Sequence, residues 1–544
     1  MKKVLIIGSG ISGLSCGIKC AENGIAALLV SPFSSERSQS VMAAGGINAV
    51  LTDCDNGDSV ESHIEDTLKG GCGLGGTKAV TGLCSRGAEI INYLERIGTV
   101  FSVDNSGRPA RRAFGGQSHK RTCFCGASTG KQIVSALVME ARRYEAAGLI
   151  KRRLWSRFHS ALIRNGRCCG ALLYDESTEK LEAVYADALV IATGGQNSVF
   201  GKTTGSTQCD GYAAGKLFMQ GVELKNLEFI QYHPTTIETP QKRMLISEAV
   251  RGEGGRLFYH ENGRRIYFME DKYGSRGNLM TRDVISREIY SAKRDVFLDI
   301  SFLNKKDIDR KLPEVRDICR KYRGIDISKE AIPVAPSVHF FMGGIAVHNN
   351  HETNIRDLYA VGECASMYHG ANRLGGNSLL AAIYSGWVAA ETIYGRESSG
   401  KSENFSEMAE KENAALKNRM NTRSNFPVMY IRDMLADTMS AKLGIVRSKK
   451  TLDDAMNDIN YYLSVEEKIS FDPSVTAYFN YSLKEILVLS KAIITCAESR
   501  KESRGAHYRN DYPESNDELC YSTIISYDNG SFNVRPDKEH EYEG

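Results

Sequence analysis

Three glycines near the start of the chain have the spacing of a dinucleotide-binding turn. Gly8, Gly10 and Gly13 form a Gly-x-Gly-x-x-Gly motif directly after a short apolar run. In this motif the first glycine permits a tight turn, the second lets the backbone approach a pyrophosphate, and the third lets a helix pack closely on a strand. The helix N-terminus that follows offers unpaired N–H groups and partial positive charge to the phosphates. These residues predict a dinucleotide site.

The motif requires a strand–turn–helix–strand unit of about 30 residues, and the sequence predicts one. Residues 4–7 are typical of a first strand, apolar residues recur at helical spacing from Leu14 onward, and Gly24 ends that helix. Residues 26–30 form the expected second strand. This strand ends in Ser31 instead of the acidic residue that usually holds an adenosine ribose, so Ser31 is the candidate for a weaker contact there.

Two later apolar runs extend the expected sheet. Residues 188–192 end in Thr193-Gly194-Gly195, and residues 358–361 end in Gly362-Glu363. Buried strands that end in glycine turns, far apart in the sequence, predict one parallel sheet assembled from two chain segments. The expected fold is therefore α/β, with a two-segment Rossmann-like nucleotide-binding domain.

The other segments differ from this pattern in composition. Residues 226–339 are richer in charges and turns, which indicates an inserted α+β domain, whereas residues 392–510 show helical spacing. After Tyr512 the chain becomes polar and acidic, with one strand expected at residues 523–527. The predicted units are a discontinuous nucleotide-binding domain of residues 1–225 and 340–391, an inserted domain of residues 226–339, a helical C-terminal domain of residues 392–510 and a tail of residues 511–544.

Length, charge and hydropathy exclude several classes of protein. A chain of 544 residues can bury several cores, and a net charge of +3 gives no reason to expect a nucleic-acid partner. No apolar run reaches roughly 18 residues, so we expect no direct membrane insertion. Lys2 and Lys3 before an apolar run resemble an export signal, but the glycine motif explains this segment better. We expect a cytoplasmic protein.

The cysteines do not have the spacing of metal ligands. Fourteen are present, none in a Cys-x-x-Cys pair, so we predict neither a zinc site nor an iron–sulfur cluster in this chain. A chain of this length needs no disulfides for stability, and we expect free thiols in a reducing compartment.

Further motifs are spread along nearly the whole chain. They are Arg37-Ser38-Gln39-Ser40-Val41 with Ala44-Gly45-Gly46, Ala192-Thr193-Gly194-Gly195, Gln231-Tyr232-His233-Pro234-Thr235, Glu248-Ala249-Val250-Arg251-Gly252-Glu253-Gly254-Gly255, Thr281-Arg282-Asp283, His339 before Met342-Gly343-Gly344, Gly362-Glu363-Cys364, His369-Gly370-Ala371-Asn372-Arg373-Leu374-Gly375-Gly376-Asn377-Ser378-Leu379, and Glu502-Ser503-Arg504-Gly505-Ala506-His507. In this order they resemble the flavoprotein subunits of succinate dehydrogenase and fumarate reductase, with L-aspartate oxidase as a close relative.

The resemblance implies that FAD binds across the two-segment sheet, with residues 226–339 as a mobile capping domain over the flavin. Glu363 and Asp210 would hold the ribityl and ribose region, and the backbone of Ser378 and Leu379 would contact the flavin ring. The cofactor-binding residues expected on this basis are Gly8, Gly10, Gly13, Ser31, Ser38, Gln39, Gly45, Gly46, Gly195, Asp210, Glu363, Ser378 and Leu379.

The resemblance also implies the chemistry, which is hydride transfer between flavin N5 and one carbon of a C4 dicarboxylate with proton exchange at the neighbouring carbon. The family binds the two carboxylates at the positions of His233, Ser247, His339 and Arg373. A dianion needs fixed donors at both ends, and an arginine suits a bidentate grip on a carboxylate.

Arg282 matches the family's proton donor, with Glu248 and Arg251 as the relay that resupplies it and His233 as a further catalytic residue. An arginine is ordinarily always protonated. A donor role therefore requires burial and neighbouring cations that make proton loss accessible.

Gln39 departs from the family's pattern in a way that bears on the cofactor. It occupies the position where the covalent-flavin members carry a histidine joined to FAD, and glutamine cannot form that bond. FAD should therefore be held non-covalently. Covalent attachment in the family is associated with the higher potential needed to oxidise succinate, so its absence favours fumarate reduction or aspartate oxidase.

Phe114 and Phe341 bear on the substrate. Aspartate oxidases place a glutamate just before the glycine pair to meet the substrate's ammonium, whereas Phe114 is what the fumarate and succinate enzymes show. A phenyl ring leaves an ammonium without its charge partner, which favours a plain dicarboxylate. Phe341 stands where relatives usually show a small polar residue, and its nearness to His339 leaves the exact 2-enoate open.

Three functional classes stay open. The first is a fumarate reductase or succinate dehydrogenase subunit that exchanges electrons with a separate iron–sulfur subunit, which the lack of cluster ligands would require; any membrane association would then run through partner subunits. The second is an L-aspartate oxidase that makes hydrogen peroxide and iminoaspartate for NAD biosynthesis. The third is a non-enzymatic flavin-binding assembly protein, which the intact set of dicarboxylate-binding positions disfavours.

Overall fold

The structure is a computed structural model that describes residues 2–51, 57–126, 128–397, 405–421 and 427–537. Within them, the cysteines are free thiols. No helix among the described residues is both long and apolar enough to cross a membrane.

A five-stranded parallel sheet, here called the nucleotide sheet, carries the glycine motif. Its strands lie in the order Leu358–Ala360, Ala188–Ile191, Lys3–Ile7, Ala26–Val30 and Ile150–Arg153. The sequence prediction of one parallel sheet built from distant segments is confirmed. The edge strand was not predicted, because its residues after Ile150 are Lys151, Arg152 and Arg153, which lack an apolar pattern.

Three helices cover the nucleotide sheet: Ile11–Glu22, Thr129–Ala146 and Asn377–Gly395. The first and third approach closely, because a Cβ at Gly386 would lie 2.7 Å from the Ser12 carbonyl oxygen. Helix Ile11–Glu22 contacts both of the other helices, so the three pack side by side on the sheet. The helix packing brings the start of Asn377–Gly395 to the same end of the sheet as the glycine motif.

A second, antiparallel sheet, here called the cap sheet, lies within residues 230–341. Its strands lie in the order Arg243–Leu245, Ile230–Glu238, Ile332–Phe341, Val296–Asp299, Arg256–Glu261 and Arg264–Ile266. It has a buried apolar core of its own, which includes Ile237, Leu257, Ile285, Leu298 and Ile332. This core suits the predicted inserted domain of residues 226–339, whose exact boundaries stay a prediction.

The helical C-terminal region contains Ser406–Met420, Val428–Lys442, Lys449–Glu466, Ala477–Tyr481 and Leu483–Ser499. The helical spacing predicted across residues 392–510 is divided into separate helices, and residues 435–456 do not form one helix. It is interrupted after Lys442, and the next helix begins behind Ser448, whose side chain accepts a hydrogen bond from the Thr451 N–H in a capping box.

The prediction of a single strand in the tail was incomplete. Ser522–Asp528 turns back at Asn529-Gly530, both with positive φ, and pairs with Ser531–Asp537. The second strand was missed because its residues are mostly polar and exposed, although Asn-Gly is a strong hairpin signal. Ser522–Asp528 also pairs with Leu224–Lys225, so the tail is joined to the first segment of the chain. Residues 538–544 of the predicted tail lie outside the described residues.

The remaining elements connect these units. The other strands are Ile47–Asn48, Arg111–Arg112, Thr122–Cys123, Ser156–Arg164, Arg167–Asp175, Lys180–Tyr185, Gly344–Ala346 and Ala365–Ser366. The other α-helices are Val60–Gly70, Thr77–Ser85, Gly87–Arg96, Tyr212–Met219, Ala249–Gly252, Phe268–Tyr273, Arg282–Ser291, Lys305–Lys311 and Pro313–Arg323.

Candidate active site

One elongated cavity of about 310 Å³ runs from the glycine turn to the cap sheet. The predicted site residues that line it are Gly8, Gly10, Ser31, Ser38, Gln39, Gly45, Gly46, Phe114, Asp210, His233, Ser247, Glu248, Arg282, His339, Glu363, Arg373, Ser378 and Leu379. Gly13, Gly195 and Arg251 do not line it, and each lies directly behind a residue that does.

The glycine turn has the geometry that a pyrophosphate requires. Gly8 has φ +114°, and a Cβ there would lie 2.2 Å from the Ala192 carbonyl oxygen of the neighbouring strand. A Cβ at Gly13 would lie 2.0 Å from the Gly8 carbonyl oxygen, so Gly13 serves packing and not contact. Gly10 faces the cavity as the N-cap of helix Ile11–Glu22. The Ile11 N–H donates to Ser40 Oγ at 3.3 Å, and the next N–H groups of this first turn have no partner within the helix and can meet a phosphate.

Ser31 lies at the end of its strand, as the sequence predicted, but its hydroxyl is already engaged. Ser31 Oγ accepts a hydrogen bond from Ser9 Oγ at 2.8 Å and donates to the Phe33 carbonyl. It still lines the cavity, where its remaining lone pair can accept a hydrogen bond.

Glu363 and Asp210 form the polar middle of the cavity. Burial raises the pKa of Glu363 to about 7, and its Oε1 accepts from the Phe341 N–H at 3.1 Å. A Cβ at Gly195 would lie 2.5 Å from that same oxygen, so this glycine makes room for the carboxyl group. Asp210 accepts from the Tyr478 hydroxyl at 2.8 Å. Both carboxyl groups can meet the hydroxyls of a ribityl chain or a ribose.

Several polar groups along the cavity have no protein partner, as a bound dinucleotide requires. Among the described residues, the buried Oγ of Ser38 and the buried Oε1 of Gln39 have no hydrogen-bond partner. Ser378 and Leu379 lie in the first turn of helix Asn377–Gly395, where backbone N–H groups have no partner within the helix. Buried polar groups are ordinarily paired, so this donor set fits an extended ligand such as FAD.

Two histidines from adjacent strands of the cap sheet face each other at the far end of the cavity. The rings of His233 and His339 lie 5.3 Å apart between centroids. His339 Nδ1 lies 2.8 Å from Thr204 Oγ1, and His233 Nδ1 lies 3.1 Å from the Thr235 carbonyl oxygen. Burial, followed by the positive charge of Arg282, lowers the pKa of both histidines well below its usual range. Both imidazoles are therefore neutral, and each can offer Nε2 to the cavity.

Arg373 brings a buried positive charge to the same place. Its guanidinium lies 4.3 Å from the Phe340 ring centroid and donates through Nη2 to Gln231 Oε1 at 3.0 Å. Its buried Nε has no hydrogen-bond partner among the described residues. Burial, followed by the charge of Arg282, lowers the pKa of Arg373 to about 9. A buried cation with unsatisfied hydrogen-bond donors lowers the stability of the protein unless an anion binds to it.

Arg282, Glu248 and Arg251 form a line of alternating charge. Arg282 donates through Nε and Nη2 to Glu248 Oε2 at 3.1 and 2.9 Å, and Glu248 Oε1 lies 3.7 Å from Arg251 Nη2. Burial raises the pKa of Glu248, but the charges of Arg282 and Arg251 and a hydrogen bond from the Gly115 N–H outweigh it and bring the pKa to about 2. The structure therefore brings these three predicted residues together, with Arg251 furthest from the cavity.

Phe114 is rigidly held, and Phe341 lies away from the cavity. Carbon atoms of the Phe114 ring lie 3.0 to 3.3 Å from Cβ positions built on Gly45 and Gly375, which encloses the ring on both sides. The expectation that Phe341 reshapes the pocket is not supported, because its side chain packs against Phe200 at 5.8 Å between ring centroids. Its neighbour Phe340 lines the cavity instead.

Sequence reasoning assigned no role to Gln231 or His369. Gln231 Oε1 accepts hydrogen bonds from Arg282 and Arg373, each at 3.0 Å. His369 lines the cavity, and burial lowers its pKa to about 3. Both residues stand within motifs that resemble the family, but an amide or a histidine in a motif gives no sign of which atoms it contacts.

Comparisons with known proteins agree with this geometry. Residues 3–379 match a family model described as an FAD binding domain, and residues 432–540 match one described as the fumarate reductase flavoprotein C-terminus. The chain is 36% identical to a succinate dehydrogenase flavoprotein subunit of Bacillus subtilis, over 96% of this chain and 93% of that protein. It is 32% identical to an L-aspartate oxidase of Pyrococcus furiosus, over 97% and 99% of the two chains.

Among solved structures, the E. coli quinol fumarate reductase FrdA superposes with a TM-score of 0.89 at 28% identity, over 99% of this chain and 97% of that one. The FAD cofactor, the α/β fold and the helical C-terminal region predicted from sequence are thereby confirmed. The chain belongs to the succinate dehydrogenase/fumarate reductase flavoprotein family, in which L-aspartate oxidases are also relatives.

Proposed function

We propose that this chain is a catalytic flavoprotein subunit that interconverts fumarate and succinate, with fumarate reduction as the favoured direction. The observation that carries the proposal is the pair of guanidinium groups of buried Arg373 and partly buried Arg282, which face two neutral histidines at the end of a cavity. These donors can hold both carboxylates of a small dianion.

Each end of the substrate has its own set of donors. Arg373 can grip one carboxylate through its open N–H groups. His233, His339 and the Ser247 hydroxyl can hold the other through neutral hydrogen bonds. In this buried site such donors act with little screening by water and pull electron density from the double bond of fumarate.

FAD, when bound, supplies hydride transfer at flavin N5. The chain's own residues orient the substrate beneath Phe114 and hold the proton that the neighbouring carbon receives. We assign that proton to the Arg282 guanidinium. Glu248 and Arg251 form the relay that returns a proton to Arg282. The 3.7 Å between Glu248 Oε1 and Arg251 Nη2, together with the contacts of Arg282 to the same carboxylate, supports this order.

Three charged side chains surround the Arg282 guanidinium. Arg251 and Arg373 place further positive charge near it. Glu248 is ionised at neutral pH and accepts a hydrogen bond from Arg282 Nη2 at 2.9 Å.

The direction of the reaction is inferred from Gln39. Its amide side chain cannot join to FAD, so we infer non-covalent FAD and, with it, a preference for reducing fumarate. The buried, unpartnered Gln39 Oε1 at the cavity supports a hydrogen bond to the cofactor in place of a covalent link.

L-Aspartate oxidase is the second candidate, favoured by relatives of that name at similar identity. Its substrate carries an ammonium group, which needs a carboxylate. Of the carboxylates lining the cavity, Glu248 is paired with Arg282, while Glu363 and Asp210 lie at the cofactor's middle. Phe114 occupies the ammonium position with an apolar ring, so we place this function second.

The electrons require a separate partner. Among the described residues no cluster of His, Cys, Asp and Glu could hold a metal ion. We propose an iron–sulfur electron-transfer subunit as the partner, a cytoplasmic location, and membrane association, if any, through partner subunits. The family includes proteins named as flavoprotein subunits, which supports a multi-subunit setting.

Steady-state assays test the proposal. Purified holoprotein should oxidise a reduced viologen dye in the presence of fumarate, and an Arg373→Met variant should lose this activity. Peroxide formation from L-aspartate, without fumarate reduction, would establish the second candidate instead.

A further inference from the structure

We propose that Asp283 and Asn372 are positioning residues that fix the direction of the Gln231 amide, so that its carbonyl oxygen holds Arg282 and Arg373 together. The inference rests on the proposed function, because both arginines belong to the dicarboxylate site. It assigns a role to two residues that flank those arginines in sequence and do not line the cavity themselves.

The hydrogen bonds form a continuous chain from Asp283 to both arginines. Asn372 Nδ2 donates to Asp283 Oδ1 at 2.8 Å, and Gln231 Nε2 donates to Asn372 Oδ1 at 2.8 Å. Gln231 Oε1 then accepts from Arg282 Nη1 and Arg373 Nη2, each at 3.0 Å. Gln231 and Asn372 are buried, with 1% and 5% of their surface exposed, so water does not substitute for these bonds.

The Asp283 carboxylate determines the direction of each hydrogen bond that follows it. An ionised carboxylate only accepts hydrogen bonds, so Asp283 can be met only by the NH2 end of the Asn372 amide. The carbonyl oxygen of Asn372 must then point to Gln231, where it meets the Gln231 NH2 group. The backbone carbonyl of Arg373 accepts from the same NH2 group at 2.8 Å and adds to this preference.

The direction of the Gln231 amide matters because its carbonyl oxygen accepts hydrogen bonds, whereas its NH2 group donates them. With the carbonyl oxygen inward, one acceptor neutralises part of the repulsion between two guanidinium groups. With the NH2 group inward, donors would face donors in a buried site, and the two arginines would separate. A displaced Arg373 would hold the substrate carboxylate less well, and a displaced Arg282 would miss the carbon that takes the proton.

Among the residues that the structure describes, Asp283 has one ion pair, which provides the control. Arg287, one turn later on helix Arg282–Ser291, lies 3.5 Å from Asp283 Oδ2 and stacks over Tyr508. An Arg287→Gln variant removes this ion pair and leaves the amide chain intact. Its dicarboxylate affinity should stay within about twofold of the parent protein, since a partly exposed ion pair at this distance contributes little.

The first experiment measures Asp283→Asn in the holoprotein. An asparagine at position 283 no longer dictates which end of the Asn372 amide it meets, so the Gln231 amide becomes free to reverse. We expect malonate, followed by the perturbation of the flavin absorbance, to bind about 3- to 10-fold more weakly. The KM for fumarate should rise and kcat should fall together, because both arginines move. Unchanged malonate affinity in Asp283→Asn, or an equal loss in Arg287→Gln, would overturn the inference.

The second experiment exchanges the two groups. In Asp283→Asn with Asn372→Asp, the new aspartate accepts from both Gln231 and the new asparagine, so the direction of the Gln231 amide is restored with the net charge unchanged. Malonate affinity should return to within about threefold of the parent protein. A double variant as weak as Asp283→Asn would show that charge at the helix start, not amide direction, is what matters.

The outcome separates this inference from the proposed function. If the parent holoprotein binds no malonate and reduces no fumarate, the proposed function fails. If it does both and the exchange fails to rescue affinity, only the role of Asp283 and Asn372 fails.

Discussion

At the scale of single residues, the site is defined by an excess of buried positive charge. Arg251 and Arg373 are buried, and Arg282 is partly buried, around one ionised carboxylate, Glu248. Buried cations are strongly destabilising unless they are paired, so a site with more arginines than carboxylates is suited to an anionic ligand. The neutral state of His233 and His339 follows first from their burial and then from the same excess of positive charge.

Replacement of Arg282 by lysine tests its role as the proton donor. Lysine keeps the charge but not the planar set of donors that contacts both Glu248 and Gln231. General acid catalysis contributes about 10²- to 10⁴-fold, so kcat for fumarate reduction should fall by at least about 100-fold. Malonate affinity should fall much less, because Arg373 and the histidines remain.

The matched control for that variant is Arg287→Lys, which alters an arginine on the same helix without reaching the cavity. Its kcat should equal that of the parent protein. An Arg282→Lys enzyme that keeps more than a third of the parent rate would exclude Arg282 as the donor.

The state of the cofactor tests the interpretation of Gln39. Glutamine offers no nucleophilic ring nitrogen for attachment to FAD, so acid precipitation should leave all the yellow flavin in the supernatant. Absorbance spectra of the washed pellet and of the supernatant provide the measurement. Flavin that stays on the denatured polypeptide would show that another residue forms the link.

At the scale of elements, the sequence predicted those whose pattern is local. Apolar runs identified four strands of the nucleotide sheet, three of which end in glycine turns, and the positions of Gly8, Gly10 and Gly13 were sufficient for the turn between the first strand and helix. The edge strand Ile150–Arg153 and the second tail strand Ser531–Asp537 were missed. Edge strands have one open side, so their sequences need not be apolar.

The sequence predicted which residues form the candidate site but not which of their atoms are in contact. Motifs that resemble the family named Arg282, Glu248 and Arg251 together. Glu248 and Arg251 precede Arg282 by 34 and 31 positions, so the contacts that join the three depend on tertiary packing. The role of Gln231 depends on two side chains from distant segments, and no local pattern carries such information. The nearness of Phe341 to His339 in sequence left its effect on the substrate open, and its side chain packs against Phe200.

Substitution in the glycine turn tests how this element binds FAD. A Cβ at Gly10 would lie 3.2 Å from Ser40 Oγ, in the space where the backbone approaches the pyrophosphate. Gly10→Ala should therefore bind FAD at least about tenfold more weakly, a loss of about 1.4 kcal/mol. Quenching of flavin fluorescence on titration of the apoprotein gives the dissociation constant.

Gly395→Ala is the control, because a Cβ at Gly395 meets no atom within 4 Å. It should match the parent protein in FAD affinity. Equal affinities for all three proteins would show that the turn does not need to approach the cofactor.

At the scale of the whole molecule, the site is assembled from units with separate cores. His233, Ser247, Glu248, Arg282 and His339 come from the region of the cap sheet, whereas Phe114, Glu363 and Arg373 come from segments around the nucleotide sheet. Substrate donors and cofactor contacts therefore meet only in the complete fold. Histidines buried in a neutral state, such as His351 behind the nucleotide sheet, make this fold sensitive to acid.

His351 predicts how stability depends on pH. Burial lowers its pKa to about 4, against about 6.5 in an unfolded chain. Below pH 6.5 the unfolded state binds a proton that the native state does not, so this residue leaves stability unchanged above pH 6.5 and lowers it by about 3 kcal/mol as the pH falls to 4.

The comparison of the parent protein with His351→Gln measures this effect. Glutamine can replace the bonds to the Ala360 carbonyl and the Tyr368 hydroxyl but does not titrate. The advantage of the parent protein in melting temperature at pH 7 should shrink by about 2 °C at pH 4.5. Melting temperatures that fall in parallel for both proteins would contradict the assignment.

The half-reaction of the reduced holoprotein with substrate shows whether fumarate accepts electrons from this flavoprotein. The protein is reduced anaerobically with dithionite, mixed with fumarate, and followed by flavin absorbance and by analysis of the product. We expect the oxidised flavin spectrum to return and one succinate to form per flavin, with no reaction on addition of L-aspartate to the oxidised protein. Reduction of the oxidised flavin by L-aspartate, with reoxidation only by oxygen and not by fumarate, would contradict this expectation.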